Sequence, residues 1–173
     1  MKKNVFLQTR FFIVFAVIFF SISVHAQDRV LTDSSFYEGR LQLPVEQNFL
    51  LKTNSGHYYE LSSAIKQKNV LVSPQVSVYK NGKKMEMVIQ NVEKPVPVKL
   101  VDDVTETIID GDFKGWDGTT TFKMVDGHTW KQDRDGNLFG NSFRPKVVIY
   151  RTPEGYKMKV QGVDETLMVR RMN

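Results

Sequence analysis

From Ser73 onward the chain alternates apolar and polar residues in short runs. The runs are SPQVSVYKNG (73–82), KMEMVIQNV (84–92), VPVKLV (96–101), RPKVVIYRTPEG (144–155), YKMKVQGV (156–163) and LMVRRM (167–172). A period of two is the signature of strands with one face buried. Turn chemistry punctuates the runs: Asn81-Gly82, Asp117-Gly118, Asp126-Gly127 and Pro153-Glu154-Gly155, residue types that accept the positive φ of tight hairpins. Only Ser62–Lys68 suggests a helical turn or two.

The pattern occurs twice. Displacing the chain by 71 residues aligns Gly56–Val101 with Gly127–Met172 without a gap, with nine identities: Gly56-His57 on Gly127-His128, and Pro74, Val76, Tyr79, Met87, Gln90, Val92 and Val98 on Pro145, Val147, Tyr150, Met158, Gln161, Val163 and Val169. Tyr59 falls on Trp130 and Glu93 on Asp164. The expectation is an all-β protein of two tandem small SH3-like β-barrel units, residues 36–101 and 109–173, packed side by side or as one sandwich. Residues 102–108, acidic and polar, read as the linker, and residues 27–35 as a flexible lead-in. Units this small, with no cysteine to staple them, have modest cores and gain from packing together.

The N-terminus differs from the rest. Lys2, Lys3 and Arg10 precede the apolar run FFIVFAVIFFSISV (11–24), and Val24-His25-Ala26 follows. A run of this length is short for a spanning helix and fits a signal peptide over residues 1–26, cleaved after Ala26, with the protein exported to the periplasm or beyond the cell. The formal charge of +5 includes three cations of that leader, so its removal leaves +2. A nearly balanced surface argues against nucleic acid as a partner. The absence of cysteine excludes disulfides, thiolate metal sites and thiol nucleophiles.

In the second unit, Phe113, Gly115, Trp116, Gly118, Thr120, Phe122, Met124, Asp126, Gly127, Trp130 and Gln132 form the pattern F-x-G-W-x-G-x-T-x-F-x-M-x-D-G-x-x-W-x-Q. It resembles a small domain found in exported proteins of Gram-negative bacteria. The resemblance covers about 65 residues and implies an exported context rather than an activity. The first unit departs from it: it lacks tryptophan and has Leu43-Pro44 near the position of Gly115-Trp116.

Candidate chemistry is sparse. His57 and His128 are equivalent and stand without a nearby ligand set, so they read as polar residues at strand starts rather than metal ligands. Asp133-Arg134-Asp135-Gly136-Asn137 begins like a calcium loop but lacks the closing glutamate, and reads as solvated loop. Lys157, Lys159, Arg170 and Arg171, with Lys83, Lys84 and Lys99, read as a solvated exterior. No nucleophile elbow, zinc-protease helix or phosphate loop is present, and nothing calls for a cofactor. The tryptophans are the candidate recognition surface, Trp116 at a turn and Trp130 toward the core, joined by Asp117 and by Phe139 and Phe143, which with Leu138 follow in a Gly- and Asn-rich loop. The expectation is a non-enzymatic binding or adaptor protein of the bacterial envelope. Its contact surface lies on the second unit, at Trp116, Asp117, Trp130, Phe139 and Phe143, and its partner is an envelope protein or a glycan. Alternatives are a small hydrolase using His128 with Asp126 or Asp133, and a structural component of an envelope assembly.

Overall fold

The computed structural model describes residues 29–172, and every regular element among them is a β-strand paired antiparallel. The first stretch is β1 (Val30–Phe36), β2 (Arg40–Val45), β3 (Leu50–Lys52), β4 (Tyr58–Leu61), β5 (Ile65–Val72), β6 (Gln75–Asn81) and β7 (Lys84–Ile89). A long strand, β8 (Val96–Ile108), leads to β9 (Asp112–Trp116), β10 (Thr121–Lys123), β11 (Thr129–Gln132), β12 (Leu138–Phe143), β13 (Lys146–Thr152), β14 (Gly155–Val160) and β15 (Thr166–Arg171). The expected signal peptide, residues 1–26, lies outside the described residues.

β8 organises the molecule. Its first part pairs with β7 and β4, and its second part with β13. One sheet of eleven strands therefore runs through both halves. Residues 102–108 are strand rather than linker, because β13 satisfies their backbone groups from Asp102 to Ile108. The lead-in is also strand from Val30, paired with β6. Ser62–Lys68 is no helical turn: Ile65 and Leu71 are buried and β5 pairs with β2.

Two barrels were expected, but the sheets stay open. Pairing does not run round either half, and one isolated bridge spans the rim of each, Tyr37 to Thr53 and Ile109 to Met124. The strand registers recur at a fixed displacement. Val76 faces Ile89, and Val147 faces Val160. Met85 faces Val98, as Tyr156 faces Val169. Tyr59 faces Leu100, as Trp130 faces Arg171. Even the strained positions correspond, with φ of 42° at Ser73 and 49° at Arg144.

Each half has its own apolar core. The first centres on Leu41, Leu51, Leu61, Val76, Met87 and Ile89, the second on Phe113, Trp116, Phe122, Trp130, Met158 and Val160. A third cluster, Tyr58, Val101 and Tyr150, joins them. There the Tyr150 hydroxyl donates to Glu60 Oε1 at 3.0 Å and Lys157 Nζ donates to the same oxygen at 2.8 Å. Lys157 is thus not on a solvated face; its ammonium is largely buried against a buried carboxylate.

Candidate functional site

Strands β9 and β12 form a two-stranded ribbon separate from the large sheet. Leu138 faces Trp116 and Phe139 faces Gly115. The ribbon lies close on its own core because two positions lack a side chain. At Gly115, with φ of +97°, a Cβ would overlap the Leu138 carbonyl, and at Gly140 it would come 2.6 Å from the Phe113 ring. Glycine is required at Gly115 on both counts.

The segment Leu138–Phe143, expected as a loop, is a strand with alternating faces. Leu138, Gly140 and Ser142 turn toward the protein, and Phe139, Asn141 and Phe143 turn outward. Phe139 is 96% exposed and Phe143 73%. Beside Phe139 runs a groove of about 480 Å³ between β12 and the turn joining β14 to β15, lined by Leu138, Asn141, Val163, Asp164 and Glu165.

Trp116 and Trp130 do not belong to this surface. They are only 5% and 4% exposed, so a contact surface made of tryptophans is ruled out. The register turns Trp116 inward, 6.1 Å from the Phe113 ring centre, and Trp130 packs edge-on to Tyr156 at 5.2 Å. Burying such large rings is a major part of what holds a core of this size. Asp117 sits at the exposed end of the ribbon, but its Oδ1 is occupied by its own turn. It accepts from Thr119 N at 2.9 Å, Thr119 Oγ1 at 3.1 Å and Thr120 Oγ1 at 2.8 Å. The Thr119 N–H and the Thr120 hydroxyl hold its carboxyl below the usual carboxylate range.

Gln132, which the sequence pattern contained without a role, ties this region together. Its buried carboxamide accepts from Gly118 N at 2.8 Å and donates to the Arg134 and Gly136 carbonyls, both at 2.9 Å.

The histidines belong to different settings. His128 Nδ1 lies 3.3 Å from Asp126 Oδ1, whereas Asp133 is drawn to Arg170 at 3.4 Å. The structure therefore does not assemble His128 with Asp133. In the first half, Asp33 gathers Ser55, His57, Tyr59 and Thr53, four donors on Oδ2 within 2.9–3.3 Å. Burial pushes the Asp33 carboxyl up, but hydrogen bonds from Ser55, Tyr59 and His57 outweigh it and hold the pKa below the ordinary value. Serine, histidine and aspartate meet here, yet Ser55 and Asp33 both contact Nδ1. A proton relay needs its partners on opposite ring nitrogens, so the cluster fastens β1 to the hairpin of β3 and β4. Sequence reasoning missed it; the signal was the polar residues Ser55, His57 and Tyr59 at alternate positions through the turn into β4.

Lys159, also expected on the solvated exterior, is half-buried and donates to the Asp164 carbonyl at 2.6 Å. Burial lowers the pKa of its ammonium. Comparison with protein-family models, curated proteins and solved structures found no match.

Proposed function

We propose that this chain is an exported, non-enzymatic binding protein of the bacterial envelope, built from two copies of one small SH3-like β unit and contacting a protein partner through the ribbon of its second unit. The observation that carries the reading is the pair Phe139 and Phe143, held on one outward strand face at 96% and 73% exposure. Leaving two such rings in water is unfavourable, by about 25 cal/mol for each Å² of apolar surface, and patches of this kind mark contact sites.

The ribbon is rigid rather than a floppy loop, because Gly115, Gly140 and Gln132 fix it against the core. Among the described residues β12 pairs with β9 alone, so its other edge is open to an added strand. This favours a protein partner over a glycan. The first unit acts as scaffold: at the positions displaced by 71 from Asn141 and Phe143 it has Val70 and Val72, exposed but far smaller than phenylalanine. The recurring registers support descent of both halves from one unit.

The test is photocrosslinking in living cells from positions 139 and 143, with position 72 as the control. One protein captured at both 139 and 143 and absent at 72 is the expected result. Glycan adducts would replace the partner class. Equal capture at 72 and 139, or none at either phenylalanine position in a folded chain, would overturn the reading.

A further inference from the structure

Both halves form a groove between the ribbon and the turn that faces it, of about 390 Å³ in the first and about 480 Å³ in the second, but only in the first does a side chain bridge it. There Gln67, on β5, reaches across to the turn: Nε2 donates to the Asn91 carbonyl at 2.7 Å, and Oε1 accepts from Glu93 N at 3.2 Å. One carboxamide thus satisfies a C=O and an N–H of the turn, as the backbone of an added strand would.

The displacement of 71 carries Gln67 to Leu138, Asn91 to Gly162 and Glu93 to Asp164. The two turns have the same build. Asn91 and Gly162 are both left-handed, at φ of 62° and 79°. Val92 N donates to the Ile89 carbonyl at 3.0 Å, as Val163 N does to the Val160 carbonyl at 3.1 Å. The Leu138 side chain has no polar atom to repeat the latch, and among the described residues no side chain bonds the Gly162 carbonyl or the Asp164 N–H. Charge differs as well. In the first half Lys66 and Lys68 flank Gln67 and the turn carries Glu93 and Lys94, whereas in the second the turn carries two exposed acids, Asp164 and Glu165, beside Phe139.

We propose that the second groove takes an extended segment of the partner protein carrying a glutamine between basic residues. The glutamine carboxamide bridges the Gly162 carbonyl and the Asp164 N–H, its basic neighbours face Asp164 and Glu165, and Phe139 covers the segment. This rests on the binding reading above and adds the chemistry of what is bound. The first half supplies the pattern of the ligand in its own chain, since Gln67 already makes these contacts there.

The probe is the end-blocked peptide SAIKQKNVL, residues 63–71, titrated into the purified protein and followed by amide NMR shifts. Saturable shifts centred on Gly162 and Asp164 are expected. Changing the peptide's glutamine to alanine should weaken binding about tenfold, the equivalent of one or two net hydrogen bonds. Leu138→Gln in the protein should install the missing latch and exclude the peptide. Because Leu138 also packs on the core, the exposed pair Asp164→Lys with Glu165→Lys is the second variant and should weaken binding by a similar factor. Absence of shifts at Gly162 and Asp164, or indifference to the glutamine or to both acidic residues, would overturn the proposal. Self-association abolished by Asp164→Lys with Glu165→Lys, without peptide binding, would assign the groove to a second copy and overturn it equally. A partner captured at position 139 without peptide binding would sink this inference alone, and failure of both would remove the binding reading as well.

Discussion

Glu60→Ala should destabilise the half of the molecule that does not contain it. Glu60 lies on β4 of the first half, and its Oε1 accepts from Tyr150 and Lys157 of the second. Tyr150 is fully buried, so alanine at position 60 leaves its hydroxyl without a partner, at about 1–3 kcal/mol. Lys157, with a side chain 18% exposed, loses a charged partner and regains only part of its hydration, adding about 1 kcal/mol. The expected total is about 2–4 kcal/mol, which in a chain of this size lowers the melting temperature by roughly 5–15 °C. Glu60→Gln keeps an acceptor for Tyr150 but loses the charge, and should cost about 1–2 kcal/mol.

Both tryptophans are in the core of the second half, so their fluorescence in a urea titration reports that half alone, while far-UV circular dichroism reports both. The clasp predicts that Glu60→Ala moves the tryptophan transition together with the dichroism transition. A tryptophan midpoint within about 0.5 kcal/mol of the parent chain, with the dichroism transition splitting in two, would show that the halves do not share the clasp and would refute the reasoning.

Gly115→Ala drives a Cβ into the Leu138 carbonyl at a left-handed backbone position. It should cost about 3 kcal/mol or more, beyond the usual range for single substitutions, and hydrogen exchange should speed up selectively over residues 138–143. Phe139→Ser, at an almost fully exposed position, should change stability by less than about 0.5 kcal/mol in a thermal melt while abolishing capture at position 143. Asp33 has a lowered folded pKa, so its stabilisation is complete above the unfolded value near about 4 and fades as pH falls through the folded value. An Asp33→Asn chain should be less stable at neutral pH yet lose less further stability than the parent in urea titrations below about pH 4. At the alkaline end the sign reverses. Burial pushes Tyr58 up to about 12, and burial together with the Glu60 charge pushes Tyr150 up as well. Their contributions are whole below the unfolded value near about 10 and are lost as pH rises through the folded values, so Tyr150→Phe should flatten the loss of stability above about pH 10.

The strands were legible because their code is local. Period-two alternation around the turns Asn81-Gly82 and Pro153-Glu154-Gly155 locates β6, β7, β13 and β14, and each lies where its pattern stands. What the sequence obscured depends on how strands meet. Asp102-Asp103 looks like a linker because two acids rarely sit in a core, yet β8 needs only one face and one edge covered there, and β13 covers the edge. Leu138–Phe143 looks like a loop because Gly140 and Asn141 have low strand propensity, but Gly140 is the residue that lets the ribbon settle on Phe113. The tryptophans misled for a related reason. A Gly-Trp-Asp-Gly turn suggests an exposed ring, whereas the positive φ of Gly115 turns the chain so that Trp116 enters the core and Phe139, opposite Gly115, is left outside. The candidate surface was therefore half legible: Phe139 and Phe143 are exposed, whereas Trp116 and Trp130, expected beside them, are buried. The side chain that defines the groove's chemistry, Gln67, lies in the other half, and its meaning appears only when the two halves are overlaid and one of them turns out to have lost the latch.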